Sequence, residues 1–298
     1  MSAQPQVQTP SREQALVIRQ ATAADAEHCG KICFEAFASL AARHHFPADL
    51  PSPEVGVAIL SEMFSHPGFF CVVAEQGGTI VGSNCLDERA SIAGVGPITV
   101  DPTAQNRTAG RALMQAVMIR AAERKFAGTR LVQAAYHNRS LSLYAKLGFV
   151  IREPLACMQG PAMQKIGPGY RIRPAQAADF EACNQLCLQV HGHDRGGELT
   201  DAIEKGSAVI AESEGRVRAY ATALAFSGHA VGENNADLQA LIGAATEFHG
   251  PGILVPARNA ELFRWCLENG LRVAQMMTLM TVGLYNEPAG AYLPSILF

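Results

Sequence analysis

Two adjoining stretches decide the fold of this chain, Val95-Gly96-Pro97-Ile98-Thr99-Val100-Asp101-Pro102 and Gln105-Asn106-Arg107-Thr108-Ala109-Gly110-Arg111-Ala112. The first predicts a buried strand that ends at its Asp-Pro step, and the second predicts a polar loop that enters a helix with a basic, glycine-containing first turn. The first N–H groups of a helix have no partner within the helix, and the helix dipole makes that end positive. Together the two stretches predict a cradle for an anion such as a phosphate.

The residues that follow the cradle predict a further helix and two further strands. Apolar spacing predicts that the cradle helix runs from about 108 to 125, followed by a strand over 130–135. A second helix is predicted over 140–147 and a strand over 149–151. Asn138 is the predicted N-cap of that second helix, and Gly148 is its predicted left-handed end.

The chain contains an internal repeat, which is visible when residues 17–33 are aligned with residues 171–187. The identical residues are Ile18/Ile172, Arg19/Arg173, Ala21/Ala175, Ala23/Ala177, Ala24/Ala178, Asp25/Asp179, Glu27/Glu181, Cys29/Cys183 and Cys33/Cys187. The hairpin predicted over 70–82 has its counterpart over 208–219. We therefore expect a leader over 1–15 that is disordered, a first unit over 16–157, a linker over 158–169 and a second unit over 170–298.

The second copy differs from the first at the cradle. Its corresponding region, 228–243, carries the acidic residues Glu233 and Asp237 and has no basic, glycine-bearing helix start. A phosphate would meet carboxylates there, so we expect one anion site per chain, in the first unit. We expect the second unit to form a wall of the substrate pocket or a dimer interface.

Composition excludes several classes of function. The net charge of −3 and the pI near 6.3 provide no basic surface for nucleic acid. No segment predicts a signal peptide or a membrane span, so we expect a cytoplasmic protein. The eight cysteines are scattered without a CxxC pair, which favours buried thiols over a metal site. The apolar C-terminal segment 285–298 is expected to dock on the fold or at an interface.

The motif Arg107-x-x-Gly110-x-Ala112, followed by Tyr144-x-x-x-Gly148-Phe149, resembles the GNAT superfamily of acyl-CoA-dependent N-acyltransferases. With the repeat, the chain resembles a tandem GNAT protein whose second unit is degenerate. The resemblance implies an α/β (α+β) fold of two tandem GNAT-like units, each with a mixed, mostly antiparallel sheet flanked by helices.

The resemblance also implies a site that binds acetyl-CoA, or another acyl-CoA, as co-substrate. The strand residues expected to contact its pantetheine arm are Ile98, Thr99 and Val100. The residues expected to hold its pyrophosphate are Arg107, Thr108, Ala109, Gly110, Arg111 and Ala112. Asn138 is expected to contact the cofactor arm, and the Tyr144 hydroxyl is expected to act as the general acid that protonates the leaving thiolate. The alternative role of Asn138 is helix capping, and the alternative role of Tyr144 is packing within the short helix.

The general base is not indicated by the motif, because the strand over 92–100 carries no carboxylate. Asp87 and Glu88 are the nearest acids, and Glu88 is the candidate catalytic base, with an ordinary solvated turn as its alternative. His45 is a further candidate, in the proline-rich loop over 43–53 that we expect to shape the substrate pocket.

The function expected from the sequence is transfer of an acetyl group to the primary amine of a small molecule or a protein by direct attack. A non-catalytic acyl-CoA sensor is the alternative. A Rossmann-type enzyme is disfavoured because the chain lacks the G-x-G-x-x-G turn. No nucleic acid, membrane or metal is expected, and a homodimer is left open.

Overall fold

The computed structural model describes residues 15–104 and 108–297, which contain eight α-helices and fourteen β-strands. The helices are α1 (Ala26–Arg43), α2 (Pro53–Ser65), α3 (Ala109–Glu123), α4 (Asn138–Lys146), α5 (Phe180–His191), α6 (Gly196–Glu204), α7 (Asn235–Ala244) and α8 (Ala260–Glu268). The strands of the first half are β1 (Leu16–Gln20), β2 (Phe69–Gln76), β3 (Thr79–Asp87), β4 (Ile92–Val95), β5 (Thr99–Val100), β6 (Gly128–Ala134) and β7 (Val150–Gln159). Those of the second half are β8 (Arg171–Pro174), β9 (Val209–Ser213), β10 (Arg216–Ala221), β11 (Ala230–Gly232), β12 (Ile253–Pro256), β13 (Arg272–Gly283) and β14 (Ala291–Leu293).

The strands of the described residues form a sheet of nine and a sheet of five, both mostly antiparallel. The order of the larger sheet is β1-β2-β3-β4-β6-β13-β7-β12, with β5 paired to β3, and that of the smaller sheet is β14-β11-β10-β9-β8. The pair β4/β6 is parallel. The mixed α/β architecture expected from the sequence is confirmed, and no helix in the described part of the chain is long and apolar enough to cross a membrane.

The two halves of the chain exchange strands, which the sequence does not indicate. Strand β13, from the second half, lies between β6 and β7 of the first half and pairs antiparallel with both. Strand β7 in turn pairs with β12 of the second half. The larger sheet is therefore built from both halves, and residues of β13 reach the wall of a cavity in the first half.

Some of the identical residues of the internal repeat belong to an ion triad that occurs once in each half. Arg19 on β1 donates to Asp25 at 2.8 Å and to Glu75 on β2 at 2.7 Å. Arg173 on β8 makes the same two contacts in the second half, with Asp179 and Glu212, each at 2.6 Å. In both halves the triad links the first strand to the start of the first helix and to the hairpin, so the same three elements are held together in each half.

Helices α1 and α2 pack closely because glycines face each other at their contact. A Cβ atom on Gly30 would lie 2.3 Å from the Cα atom of Val57, and one on Gly56 would lie 2.5 Å from the carbonyl oxygen of Gly30. A side chain at either position would force the helices apart. The close contact joins α1 near its start to the first turn of α2, so it fixes the point where the loop over 44–52 enters α2. That loop contributes to the wall of the cavity described below.

The local predictions are confirmed for the 70–82 hairpin and for helix α3, and two others differ from the structure. Asn138 is the first residue of α4 and not its N-cap, a position that His137 occupies. Its counterpart Asn259 does cap α8, where its side chain accepts a hydrogen bond from the N–H of Leu262. The strand predicted over 92–100 is divided, because Gly96 has a φ of 142° and separates β4 from β5.

Candidate active site

A cavity of about 930 Å³ lies where the two halves meet. The first half contributes the α1 and α2 faces, the loop between them, β4, β5, β6 and the starts of α3 and α4. The second half contributes residues from α6, the loop after β10, β13 and the C-terminal segment, among them Glu198, Thr222, Met277 and Leu297. Residues of the second half therefore form part of the cavity wall.

One end of the cavity is a wedge between two strands that separate. Strands β4 and β6 are paired from Ile92↔Gly128 to Gly94↔Arg130. Beyond Gly96 the chain turns away from β6, and β5 pairs with β3 instead. The edges of β5 and β6 therefore face open space, which is a position where an extended ligand can add its own polar groups to a sheet edge.

Buried polar side chains line this wedge without partners among the described residues. They are the Thr99 hydroxyl on β5 and both the Nε2 and Oε1 atoms of Gln133 on β6. The two residues are only 3% and 6% exposed. Leaving such groups unsatisfied costs about 1–3 kcal/mol each, so a polar ligand in the wedge would recover that free energy.

The start of α3 opens onto the same cavity. Thr108 precedes the helix with a left-handed φ of 63°, its side chain does not cap the helix, and the first turn contains no acidic residue. Among the described residues outside the helix's own backbone, a Cβ atom on Gly110 would have no neighbour closer than 3.8 Å, so their packing does not require glycine at this position. The space in front of Gly110 and the helix dipole together suit a phosphate group.

The corresponding helix of the second half, α7, is closed to an anion by its own side chains. Asn234 accepts a hydrogen bond from the N–H of Asp237, and Asp237 accepts one from the N–H of Asn234. Tyr170 donates to the same Asp237 at 2.6 Å. The carboxylate occupies the place that a phosphate would take, which gives the physical reason why this copy lacks a cradle.

Tyr144 lies at the bottom of the wedge. It is 6% exposed, packs edge-to-face on Phe149 and lines the cavity from α4. Burial raises the pKa of its hydroxyl to about 12, against a smaller opposing effect of Ser140. The hydroxyl therefore stays protonated at neutral pH and can donate a proton into the cavity.

The structure brings together most of the residues that the sequence singled out. Those that line the cavity are Ile98, Thr99, Val100, Thr108, Ala109, Gly110, Arg111 and Tyr144. Ala112 lies one position beyond the lining, and Asn138 is exposed while its neighbours His137 and Arg139 line the cavity. Arg107 lies outside the described residues.

Glu88, the acid considered as general base, is not part of the cavity lining. Its carboxylate accepts hydrogen bonds from Arg120, at 2.7 Å from Nε and 3.0 Å from the second nitrogen. The neighbouring Asp87 is held by Arg89 in a similar pair at 2.6 Å. Both acids are paired with arginines, which gives them a structural role at the end of β3.

The cavity wall also carries a carboxylate that the sequence did not single out. Asp49, in the loop between α1 and α2, lines the cavity and accepts a hydrogen bond from the Nε2 atom of Gln275 at 2.7 Å. Gln275 belongs to the exchanged strand β13. The only sequence signal for Asp49 was its place in the proline-rich loop, which was expected to shape the pocket. The hydrogen bond between Gln275 and Asp49 spans 226 residues of sequence and has no local signature.

The C-terminal segment closes the cavity on a third side, as its apolar sequence led us to expect. Ile296 donates its N–H to the carbonyl oxygen of Phe226 at 2.9 Å. A Cβ atom on Gly94 would lie 2.2 Å from the carbonyl oxygen of Leu297. Glycine at this position therefore lets the segment lie directly on β4.

Comparison with known proteins gives a family and a fold. Residues 35–149 match the model of the acetyltransferase (GNAT) family. A search of curated proteins found no significant match.

Solved structures of similar fold cover almost the whole chain at low sequence identity. A presumed acetyltransferase from Pyrococcus horikoshii is 18% identical, with a TM-score of 0.71 over 96% of this chain and 97% of that one. A GCN5-related N-acetyltransferase from Sphaerobacter thermophilus is 14% identical, with a TM-score of 0.58 over 91% and 96%. A tandem GNAT protein from the clavulanic acid biosynthesis pathway is 15% identical, with a TM-score of 0.54 over 90% and 98%. This chain therefore carries a GNAT-family acetyltransferase domain in its first half and has, as a whole, the tandem GNAT fold.

Proposed function

We propose that the protein is an N-acetyltransferase that uses acetyl-CoA and acetylates a primary amine. The observation that carries the proposal is the wedge between β5 and β6, where the unpartnered polar atoms of Thr99 and Gln133 lie in the same cavity as the start of α3 and the Tyr144 hydroxyl. Acetyl-CoA has a pyrophosphate, an extended arm with amide groups and a thioester, and the three parts of the cavity match these in chemistry.

The residues present fit such a co-substrate. The N–H groups at the start of α3 and the basic Arg111 would hold the pyrophosphate, with Gly110 leaving room for it. Thr99 and Gln133 would satisfy polar groups of the arm. When bound, the thioester supplies an acyl group that is activated toward amines.

Tyr144 would hold the proton that the departing sulfur needs. Burial keeps its pKa at about 12, so the phenol is the protonated species throughout the neutral range. A phenol in this position delivers its proton as the carbon–sulfur bond breaks, and a proton lost by the acceptor nitrogen restores it. The surrounding apolar residues, among them Leu113 and Phe149, exclude water from this point.

Replacing Tyr144 by phenylalanine should reduce kcat by about 100-fold or more while acetyl-CoA still binds. The ring and its contact with Phe149 are kept, and the hydroxyl is lost. The measurement is the release of free thiol from acetyl-CoA in the presence of a panel of primary amines, together with the affinity for acetyl-CoA.

The matched control is Tyr170→Phe, which removes a hydroxyl that bonds Asp237 in the second half, outside the cavity lining. This variant should turn over like the parent protein. Equal kcat in Tyr144→Phe and the parent would exclude the acid role. Binding of acetyl-CoA without thiol release from any amine would favour the acyl-CoA sensor instead.

A further inference from the structure

The inference concerns Asp49 and its environment in the cavity wall. Asp49 is half-buried in the loop between α1 and α2. The loop is held by α2, whose first turn packs on α1 at Gly30 and Gly56, and by the ring of Phe46, which stacks on that of Tyr136 with centroids 4.4 Å apart and an interplanar angle of 12°. Asp49 is therefore presented to the cavity by a constrained segment.

Asp49 differs from the other carboxylates of the cavity wall in its partner. Glu62 is paired with Lys205, and Glu198 is paired with Arg195. Asp49 has no cationic partner among the residues that the structure describes, and its hydrogen bond comes from the neutral amide of Gln275, which is 2% exposed. A negative charge in this position is available to a positively charged ligand.

The titratable groups on which the charge of Asp49 acts include two thiols and a phenol, which are neutral at pH 7. Cys33 and Cys157 are buried, and burial raises the pKa of each thiol to about 12. Burial, reinforced by the charge of Asp49, raises the pKa of Tyr136 to about 12 as well. Burial also raises the pKa of Asp49 itself, against the smaller effect of the Gln275 hydrogen bond. A carboxylate in such surroundings binds an ammonium group more strongly than an exposed one does, and is a better base.

We infer that Asp49 binds the ammonium group of the acceptor and takes its proton, and that Gln275, supplied by the exchanged strand of the second half, is the residue that positions Asp49. This rests on the proposed N-acetyltransferase function and adds the acceptor class. The acceptor is a primary amine on an apolar body, because the cavity wall includes apolar residues such as Phe37, Leu50 and Phe226.

The protons of the transfer balance with these two groups. The acceptor enters as an ammonium ion and gives one proton to Asp49, which leaves a lone pair on nitrogen. The carbon–nitrogen bond forms and the carbon–sulfur bond breaks, with the sulfur taking the Tyr144 proton. The second proton lost by nitrogen restores Tyr144, and the proton on Asp49 passes to solvent, so one proton is released per turnover.

The first test measures binding without chemistry. The probes are 2-phenylethylamine and its neutral analogue 2-phenylethanol, titrated by calorimetry into the full chain with and without saturating CoA. We expect the amine to bind and the alcohol to bind at least about 10-fold more weakly. Asp49→Asn should weaken amine binding by about 10- to 100-fold and leave the affinities for the alcohol and for CoA unchanged.

The second test assigns the role of Gln275. Gln275→Met keeps the size of the side chain and removes the hydrogen bond to Asp49, so it should raise the KM for the amine in the acetyl-CoA assay while leaving the KM for acetyl-CoA unchanged. Asp49→Glu should restore part of the activity that Asp49→Asn loses. The control on the same strand is Thr281→Val, which removes the side-chain contact with Arg152 and should leave both KM values unchanged.

The outcomes separate the inference from the proposed function. Unchanged amine affinity in Asp49→Asn, with CoA still bound, would overturn the inference and leave the acetyltransferase proposal standing. Absence of amine binding to the parent protein would also overturn the inference. Failure of the parent protein to bind CoA would overturn the proposed function, while the amine titration without CoA would still report on Asp49.

Discussion

Gly110→Asp should weaken acetyl-CoA binding by about 1000-fold or more. The substitution places a carboxylate where the first turn of α3 faces the cavity, so it removes two or three charge-assisted hydrogen bonds to the pyrophosphate and adds repulsion. Fold packing does not oppose the change, since a Cβ atom on Gly110 has its nearest neighbours, Leu143 and Val100, at 3.8 Å. The measurement is the dissociation constant for acetyl-CoA, with thermal unfolding as the check of integrity.

Two variants of the same helix serve as controls for this result. Gly110→Ala should increase the free energy of unfolding by about 0.5–1 kcal/mol, because alanine is the better helix former, and should still weaken acetyl-CoA binding. A higher free energy of unfolding together with weaker acetyl-CoA binding would locate the effect in the ligand site. Gln115→Glu makes the same change in charge on the exposed side of α3 and should leave binding unchanged. Normal binding by Gly110→Asp would exclude the cradle as the pyrophosphate site.

Acidification should destabilise the fold sharply below pH 6.5, because three histidines are buried together in the second half. His191 and His229 lie with their Nε2 atoms 3.0 Å apart, and the rings of His191 and His193 stack at 5.5 Å. Burial, with the nearby cations Arg195 and Arg130, lowers the pKa of His191 and His229 well below 6.5. Burial and Arg130 lower that of His193 to about 4.

The direction of the pH effect on stability follows from the lowered pKa values of the histidines. The unfolded chain takes up protons near pH 6.5 while the folded chain stays neutral, so the stabilisation is complete above pH 6.5 and is lost as the pH falls toward 4. For three such histidines the loss between pH 6.5 and 5.5 is about 3 kcal/mol. Urea unfolding at pH 5.0 to 7.5 measures it.

Single variants show whether this cluster causes the pH dependence. His229→Asn should remove about one third of the cluster's share of the slope of the free energy of unfolding against pH. His137 contributes a separate share, because burial lowers its pKa to about 4 as well. The control Val231→Ala, at a buried residue on the strand β11 that directly follows His229, should lower stability at every pH and leave the slope unchanged. The same slope in His229→Asn and the parent would show that the histidine cluster is not responsible.

Local sequence patterns were sufficient for the elements around the cradle and for the repeat. The start of α3 and the identical spacing of Arg19 and Asp25 with Arg173 and Asp179 each reflect contacts within a few residues or within one copy. The break at Gly96 differs from the single strand predicted over 92–100. The strand exchange could not be predicted in this way. Strands β7 and β13 are corresponding segments of the two copies with similar apolar patterns, so neither sequence specifies which half it joins.

The residues of the candidate site likewise divide into those with a signal in the sequence and those without one. Gly110 was found through the chemistry of the predicted helix start, and Thr99 and Tyr144 were singled out through the resemblance to the GNAT superfamily. The Asn138 cap prediction failed because the helix begins one residue earlier than its side-chain chemistry suggests. Asp49 was missed because its partner lies on the exchanged strand, and nothing near it in sequence marks it as different from any loop aspartate.

Calorimetric titration of the full chain with acetyl-CoA tests the central claim most directly. Because α3 has an open first turn in the first half and α7 is closed by Asn234 and Asp237 in the second, we expect one molecule bound per chain, and none in Gly110→Asp. Absence of binding to the parent protein, or two equivalent sites per chain, would contradict a single acyl-CoA site in the first half.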